Sequence, residues 1–327
     1  MAIHLEDDQL VFDFTAYHPE ARFSFEFQRT LRIPDNGEDH WLPPGLGRFP
    51  MRHVEEYEER LPASWVNRGG VLFPMYQAEA MWLSFHAGDY PFAVKVASGK
   101  INVVTGESWS VGLNRDPRDY LVVPGQPWLD GYCVEKGVIR QFVAMPLGQG
   151  YTAEEQLTGE ATWGGLQVVV YPLKKELFRP KPTFHTSYSA GIACMDKRSG
   201  MGLAPGGRMR QEVYEDDRAL SDWDQRKGER CFIAILNSED WLAVTDEPLP
   251  TRPVSAKDYA KAGLPWFDYY ADRPAVSGAP TLRSLKSLAA MSDEKGDAIP
   301  ELKDSVPITR VLKLGNGRRG AVRVGDF

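Results

Sequence analysis

Between residues 21 and 33, Phe23, Phe25 and Phe27 alternate with Arg22, Ser24, Glu26 and Gln28. Successive strand side chains point to opposite faces, so three Phe on one parity predict a half-buried antiparallel strand. The phase falters at Arg29-Thr30, and Leu31 and Ile33 then resume on the odd positions. A shorter strand pattern, LVFDF, precedes it. Phe92, Val94 and Val96, the Ser98-Gly99 turn, and Ile101 with Val103 predict a hairpin. Residues 74–88 (PMYQAEAMWLSFHAG) fit helix and strand about equally: Ala and Glu favour helix, whereas Trp82, Leu83 and Phe85 allow strand. HVEEYEERL, from His53, predicts a short exposed helix with a solvated acidic face.

The densest run of turn punctuation, aromatics and short strands spans residues 120–171. Tyr120 to Val123 reads as a strand closed by Pro124-Gly125. Pro127 follows, so the backbone that carries Trp128 and Asp130 has little freedom. VIRQFVAM, from Val138, is a second strand. LGQGY is a glycine-rich turn bearing Gln149. Thr152 and Glu155 stand in capping-box spacing and Gly159 supplies a stop, which predicts a short helix over 153–158. LQVVVY is a third strand.

Beyond a Lys- and Pro-rich segment at 172–181, MGLAPGG reads as a glycine-rich loop leading into a strand, RMRQEVY. RCFIAIL is almost continuously apolar, which predicts a strand buried on both faces and an inert core thiol at Cys231. Ser238 is positioned to cap SEDWLAVT, and Ser255 with Asp258 to cap AKDYAKAG. LPWFDYY concentrates aromatics from Trp266 to Tyr270, either to dock on the core or to form a recognition surface. Leu282, Leu285 and Leu288 predict a short amphipathic helix, and residues 292–327 a polar tail with one late strand, ITRVLKL. The expected architecture is α+β and β-rich: antiparallel β-sandwiches with a few short helices. A single elongated sandwich with long loops is the alternative. The expected division is a β-rich domain over 1–175, a second with short helices over 182–291, and the tail over 292–327.

Composition narrows the function classes. The chain has 327 residues, a net charge of −7 and 43% hydrophobic residues. That length supports a sizeable core, and the acidic balance argues against nucleic acid and anionic membranes as main partners. No apolar run approaches the roughly 18 residues of a spanning helix, and the acidic N-terminus lacks signal-peptide anatomy. Three widely spaced cysteines, Cys133, Cys194 and Cys231, fit a reducing, cytoplasmic compartment.

No catalytic signature is present. Asp39, His40 and His53 lack metal-ligand spacing, so neither metal nor cofactor is expected. The glycine-rich turn before the 153–158 helix has no P-loop or dinucleotide spacing; a tight turn is the simpler reading than an anion cradle. His185, Ser187, Ser189 and Cys194 carry no nucleophile-elbow motif. The candidate binding residues are therefore Trp128, Asp130, Arg140, Gln149 and Trp266. The leading expectation is a non-enzymatic binding or scaffold protein whose partner is another protein or itself. Two other readings are an enzyme using Asp130, Glu135, Glu154 or Glu155 with Arg140 or His185, and a binder of a sugar or anion at the glycine-rich turns.

The segments GVIRQFVAMPLGQGYTAEEQLTGEATWGGLQV, MGLAPGGRMRQEVYED and VSAKDYAKAGLPWFDYY resemble a family of uncharacterised proteins from actinobacteria, other bacteria and filamentous fungi. In fungal members, a region similar to residues 200–270 is sometimes joined to a ubiquitin-like domain. Some bacterial members carry the label "integral membrane protein", which the hydropathy of this chain contradicts. The resemblance brings no catalytic residues. It implies only a link to protein–protein traffic.

Overall fold

In the computed structural model, Phe23, Phe25 and Phe27 are fully buried on one face of a strand, Arg22–Thr30. The structure describes residues 2–180, 200–249, 252–270, 273–299, 302–304, 308 and 310–315. His185, Ser187, Ser189 and Cys194 lie outside the described residues. The Arg22–Thr30 strand pairs antiparallel with Gln9–Asp13 on one side and Ala80–Ala87 on the other. This pairing resolves the ambiguity of residues 74–88 in favour of strand: Val71–Met75 and Ala80–Ala87 are both strands. Ala and Glu propensities yield there to eight cross-strand pairs with Arg22–Thr30.

From Ala80–Ala87 the sheet continues through Val138–Pro146, Gly200–Arg210, Glu229–Asn237, Leu166–Pro172 and Phe92–Ser98 to Leu121–Val123. It comprises sixteen strands among the described residues, most of them antiparallel. Val71–Met75 joins Glu229–Asn237 in parallel. Strands far apart in this order meet in one core. Phe23 lies 5.6 Å from Phe92, and Phe27 stacks on Phe73 at 4.3 Å. The sheet therefore curls over its own apolar face, burying it from both sides. The fold is β-rich, with a large antiparallel sheet and a few short helices. Strands from both sides of residues 172–181 alternate in the sheet order, so that segment does not interrupt it.

Several local expectations need correction. MGLAPGG is not a loop but the body of the Gly200–Arg210 strand, and QEVY lies beyond its end. Its glycines answer close packing: a Cβ at Gly206 would meet Val143 at 2.6 Å, and one at Gly207 the Pro34 carbonyl at 2.4 Å. Glu229–Asn237 is not buried on both faces, because Phe232 and Ala234 keep partial exposure. Asn237 rather than Ser238 caps the Ser238–Thr245 helix. Leu282, Leu285 and Leu288 are buried, but they are split between two short helices, Pro280–Arg283 with Leu282 and Leu288–Lys295 with Leu288, and the connection that carries Leu285. Within the expected tail, Val311–Gly315 pairs in parallel with Trp266–Tyr270.

The Ala153–Thr158 helix follows its sequence signals. Thr152 accepts from the Glu155 N–H, Glu155 reaches back to the Thr152 N–H, and Gly159 ends the helix at φ +72°. The Thr152→Ala variant is expected to lose about 1 kcal/mol of stability. A lowered urea midpoint at unchanged slope would register that loss; an unchanged midpoint would show that the cap contributes nothing.

Candidate functional site

Period two sends Leu83 and Leu129 into the core and their neighbours Trp82 and Trp128 to the outer face of the sheet. The two indoles stand 6.3 Å apart at 66°. The 252–270 segment covers the sheet beside them. There Trp266 and Tyr259 pack with Leu31, Ile33, Ile139 and Met209. Leu42 and Phe267 exchange backbone hydrogen bonds of 3.0 and 2.8 Å, which brings the Pro43-Pro44 turn alongside. Between these walls lies a cleft of about 190 Å³, lined by Pro43, Pro44, Trp82, Trp128 and Phe267, with Leu314 at its rim and Asp130 at its floor.

The walls are held rigidly. Buried Gln126 donates to the carbonyls of Trp128 (3.0 Å) and Glu212 (3.1 Å) and accepts from the Tyr214 N–H (3.1 Å). Pro127 fixes the backbone just before Trp128, and its carbonyl accepts from Phe85 at 2.9 Å. Tyr269 packs edge-on against Trp128 at 4.6 Å. A Cβ at position 45 would lie 3.1 Å from the Trp82 ring and 2.8 Å from the Gln28 side-chain oxygen, so glycine there suits the close approach of the Pro43-Pro44 turn to the sheet.

Among the described residues, Asp130 is the one charged side chain lining the cleft. It is 2% exposed. The Gln211 amide interlocks with it: Nε2 donates to the carboxylate at 2.6 Å, and Oε1 accepts from the Asp130 N–H at 3.0 Å. The Trp128 indole is its other donor. Burial raises the carboxyl to about 7, more than these two neutral partners lower it. No ion pair to Asp130 forms among the described residues. Its role differs from that of the buried Lys95–Asp119 pair (2.5 Å), where charge meets charge.

Of the candidates read from sequence, the cleft brings together Trp128 and Asp130. Trp266 is 1% exposed and supports the cleft from beneath. Arg140 points elsewhere, donating to the Gly206 carbonyl (3.1 Å) and lying 3.7 Å from Asp35. Gln149 is exposed on its turn, apart from the cleft. The four carboxylates of the enzyme reading have separate surroundings. Glu135 is at the surface with Arg208 (3.1 Å) and Arg283 (3.7 Å). Glu154 is buried against the Gly164 N–H at 2.9 Å. Glu155 belongs to the helix cap and also accepts from the N–H groups of Gly148 (2.7 Å) and Gly150 (2.8 Å). The amides that an anion would need at this turn are thus filled by the chain's own carboxylate, in keeping with the tight-turn reading. Asp39 pairs with Arg208 at 2.7 Å, and no cluster of three or more metal-ligating side chains occurs among the described residues.

Sequence reasoning missed Pro43, Pro44 and Trp82. The LPPG turn was the available signal, because consecutive prolines present a stiff apolar edge. Trp82 becomes visible only once residues 80–87 are assigned as a strand. A larger polar cleft of about 590 Å³ lies around Arg115, Arg118 and Asp216. Asp216 there accepts from Tyr120 and Trp223 and both arginines donate to backbone carbonyls, while Glu107, Arg115, Asp116 and Glu215 are exposed and Arg118 keeps two buried nitrogens without a hydrogen bond. The smaller apolar cleft is the stronger candidate, since it combines preformed aromatic walls with a buried polar group that lacks a counter-charge. Among the described residues no helix is long and apolar enough to cross a membrane. No family model, curated protein or solved structure matches the chain.

Proposed function

We propose that this protein is a non-enzymatic cytosolic binding or scaffold protein that seats a side chain of a protein partner in the Trp82–Trp128 cleft. The observation that carries this reading is the preformed pair of indoles, 6.3 Å apart, with Trp128 held by Gln126 and Pro127. Aromatic anchors fixed in advance contribute affinity because little entropy is lost when a ligand arrives. The scatter of Glu135, Glu154 and Glu155 away from Asp130 weighs against an enzyme built on these carboxylates. The free, buried thiols of Cys133 and Cys231 accord with a reducing compartment.

The test is a selection of short displayed peptides on the full-length protein, followed by affinity measurements on Trp128→Ala. Peptides chosen by the wild-type protein are expected to bind the variant at least roughly tenfold more weakly, as for loss of an aromatic hot spot. Circular dichroism would confirm that the variant keeps its fold. Peptides that bind both proteins equally would overturn the assignment of the cleft. Sedimentation of the unliganded protein distinguishes a second copy as the occupant: a dimer abolished by Trp128→Ala would replace the separate partner with self-association.

A further inference from the structure

We infer that the cleft is an aromatic cage for a methylated ammonium, carried on a lysine side chain of the partner. The inference rests on the binding reading above and names the chemistry of its ligand. Trp82 and Trp128 meet edge to face at 66°, and Phe267 also lines the cleft. The faces of such rings carry negative potential, and indole attracts a cation most strongly among the aromatic side chains. Methylation spreads the ammonium charge over an apolar surface, so the group gives up its water easily and fits apolar walls.

Asp130 supplies the second, independent observation. A buried carboxyl group is ordinarily paired with a cation, or it ionises only at a cost. Here its partners are a neutral amide and a neutral indole. Among the described residues no Lys, Arg or His lines the cleft. A cation brought by a ligand would complete the site electrostatically, and the net charge of −7 favours the approach of a basic partner.

The dimensions agree. About 190 Å³ suffices for a trimethylammonium head but not for a folded element. Leu314 is 43% exposed at the rim and Pro44 half-buried, an apolar exit for the aliphatic stem of a lysine. A stem leaving the cage in this way favours a side chain of a polypeptide over a free small molecule.

The experiment uses calorimetric titration of the full-length protein at about pH 8, above the value of about 7 to which burial raises Asp130, so that its carboxyl is ionised. Four probes are compared: a basic peptide bearing one trimethyllysine, the same peptide with unmodified lysine, its neutral tert-butyl isostere, and free choline. The trimethyllysine peptide is expected to bind at least roughly tenfold more tightly than the isostere, the discrimination that a desolvated cation–π contact supplies. Asp130→Asn is expected to remove most of that preference while retaining a native near-ultraviolet spectrum. Equal binding of the isostere would overturn the cation assignment but leave the apolar cleft standing. Choline binding without peptide binding would overturn the protein side chain as the source. If no probe binds while selected peptides still depend on Trp128, this inference fails alone. If neither class binds, the proposed function fails with it.

Discussion

Asp130→Asn raises the stability of the unliganded protein at alkaline pH by roughly 4 kcal/mol, from the displacement of its carboxyl from 3.8 to about 7. The folded state holds a proton at Asp130 that the unfolded chain has already released between those two values. Folding stability therefore falls as pH rises through that window and levels off above it. Burial dominates the displacement; Gln211 and Trp128 oppose it. Asn carries no charge to desolvate, and its oxygen still accepts from the Gln211 amide. Glu79, Glu154 and Glu212 are also raised by burial, but they titrate in both proteins and cancel in the difference. Urea unfolding of the two proteins should coincide near pH 4 and diverge to the full difference by about pH 8. A difference that is the same at both pH values would contradict a buried carboxylate without a counter-charge. Such a group is tolerated at a binding site because it contributes to a ligand what it costs the free fold.

Phe27→Ala has a comparable effect in the opposite direction, through packing. Phe27 and Phe73 are both fully buried and stack at 4.3 Å with 12° between their planes. They belong to strands several places apart in the sheet, so their contact joins the two sides of the curled sheet. Phe25 adds an edge contact to Phe27 at 5.5 Å, and Phe49 packs on Phe73 at 5.3 Å. Truncation to Ala leaves a cavity among rings that are each fixed by other partners, so collapse is poor and the loss is about 3–5 kcal/mol. Phe27→Leu, which keeps most of the volume, should lose less than about 2 kcal/mol. Chemical denaturation of both variants is the measurement. A loss below about 1 kcal/mol for Phe27→Ala would mean that the strands meet more loosely than described.

The parts of the fold that are legible in sequence are those set by near neighbours. Thr152, Glu155 and Gly159 lie within one helix and its ends, and the three Phe of the 22–30 strand declare their face by parity alone. The parts that are not legible depend on distant partners. Residues 80–87 are a strand because they pair with Arg22–Thr30, which local propensity cannot report. The glycines of MGLAPGG look like turn residues, yet Gly206 and Gly207 are small because Val143 and Pro34 press on them within the sheet. The candidate site divides in the same way. Pro124 and Pro127 mark the stiff segment that holds Trp128 and Asp130. The facing wall of Pro43, Pro44 and Phe267 comes from segments that meet through the Leu42–Phe267 bridge. Arg140 drew attention by its position in the central stretch, but its guanidinium is taken by Asp35 and the Gly206 carbonyl.

The central claim is that the cleft between Trp82 and Trp128 is where a partner is held. Its most direct test is to follow the indole N–H signals of the nine tryptophans by nuclear magnetic resonance, adding a peptide selected on the full-length protein. The account predicts saturable shifts of the Trp82 and Trp128 signals, while those of Trp223 and Trp241, buried elsewhere in the core, stay in place. A peptide that binds while leaving the Trp82 and Trp128 signals unmoved would contradict it.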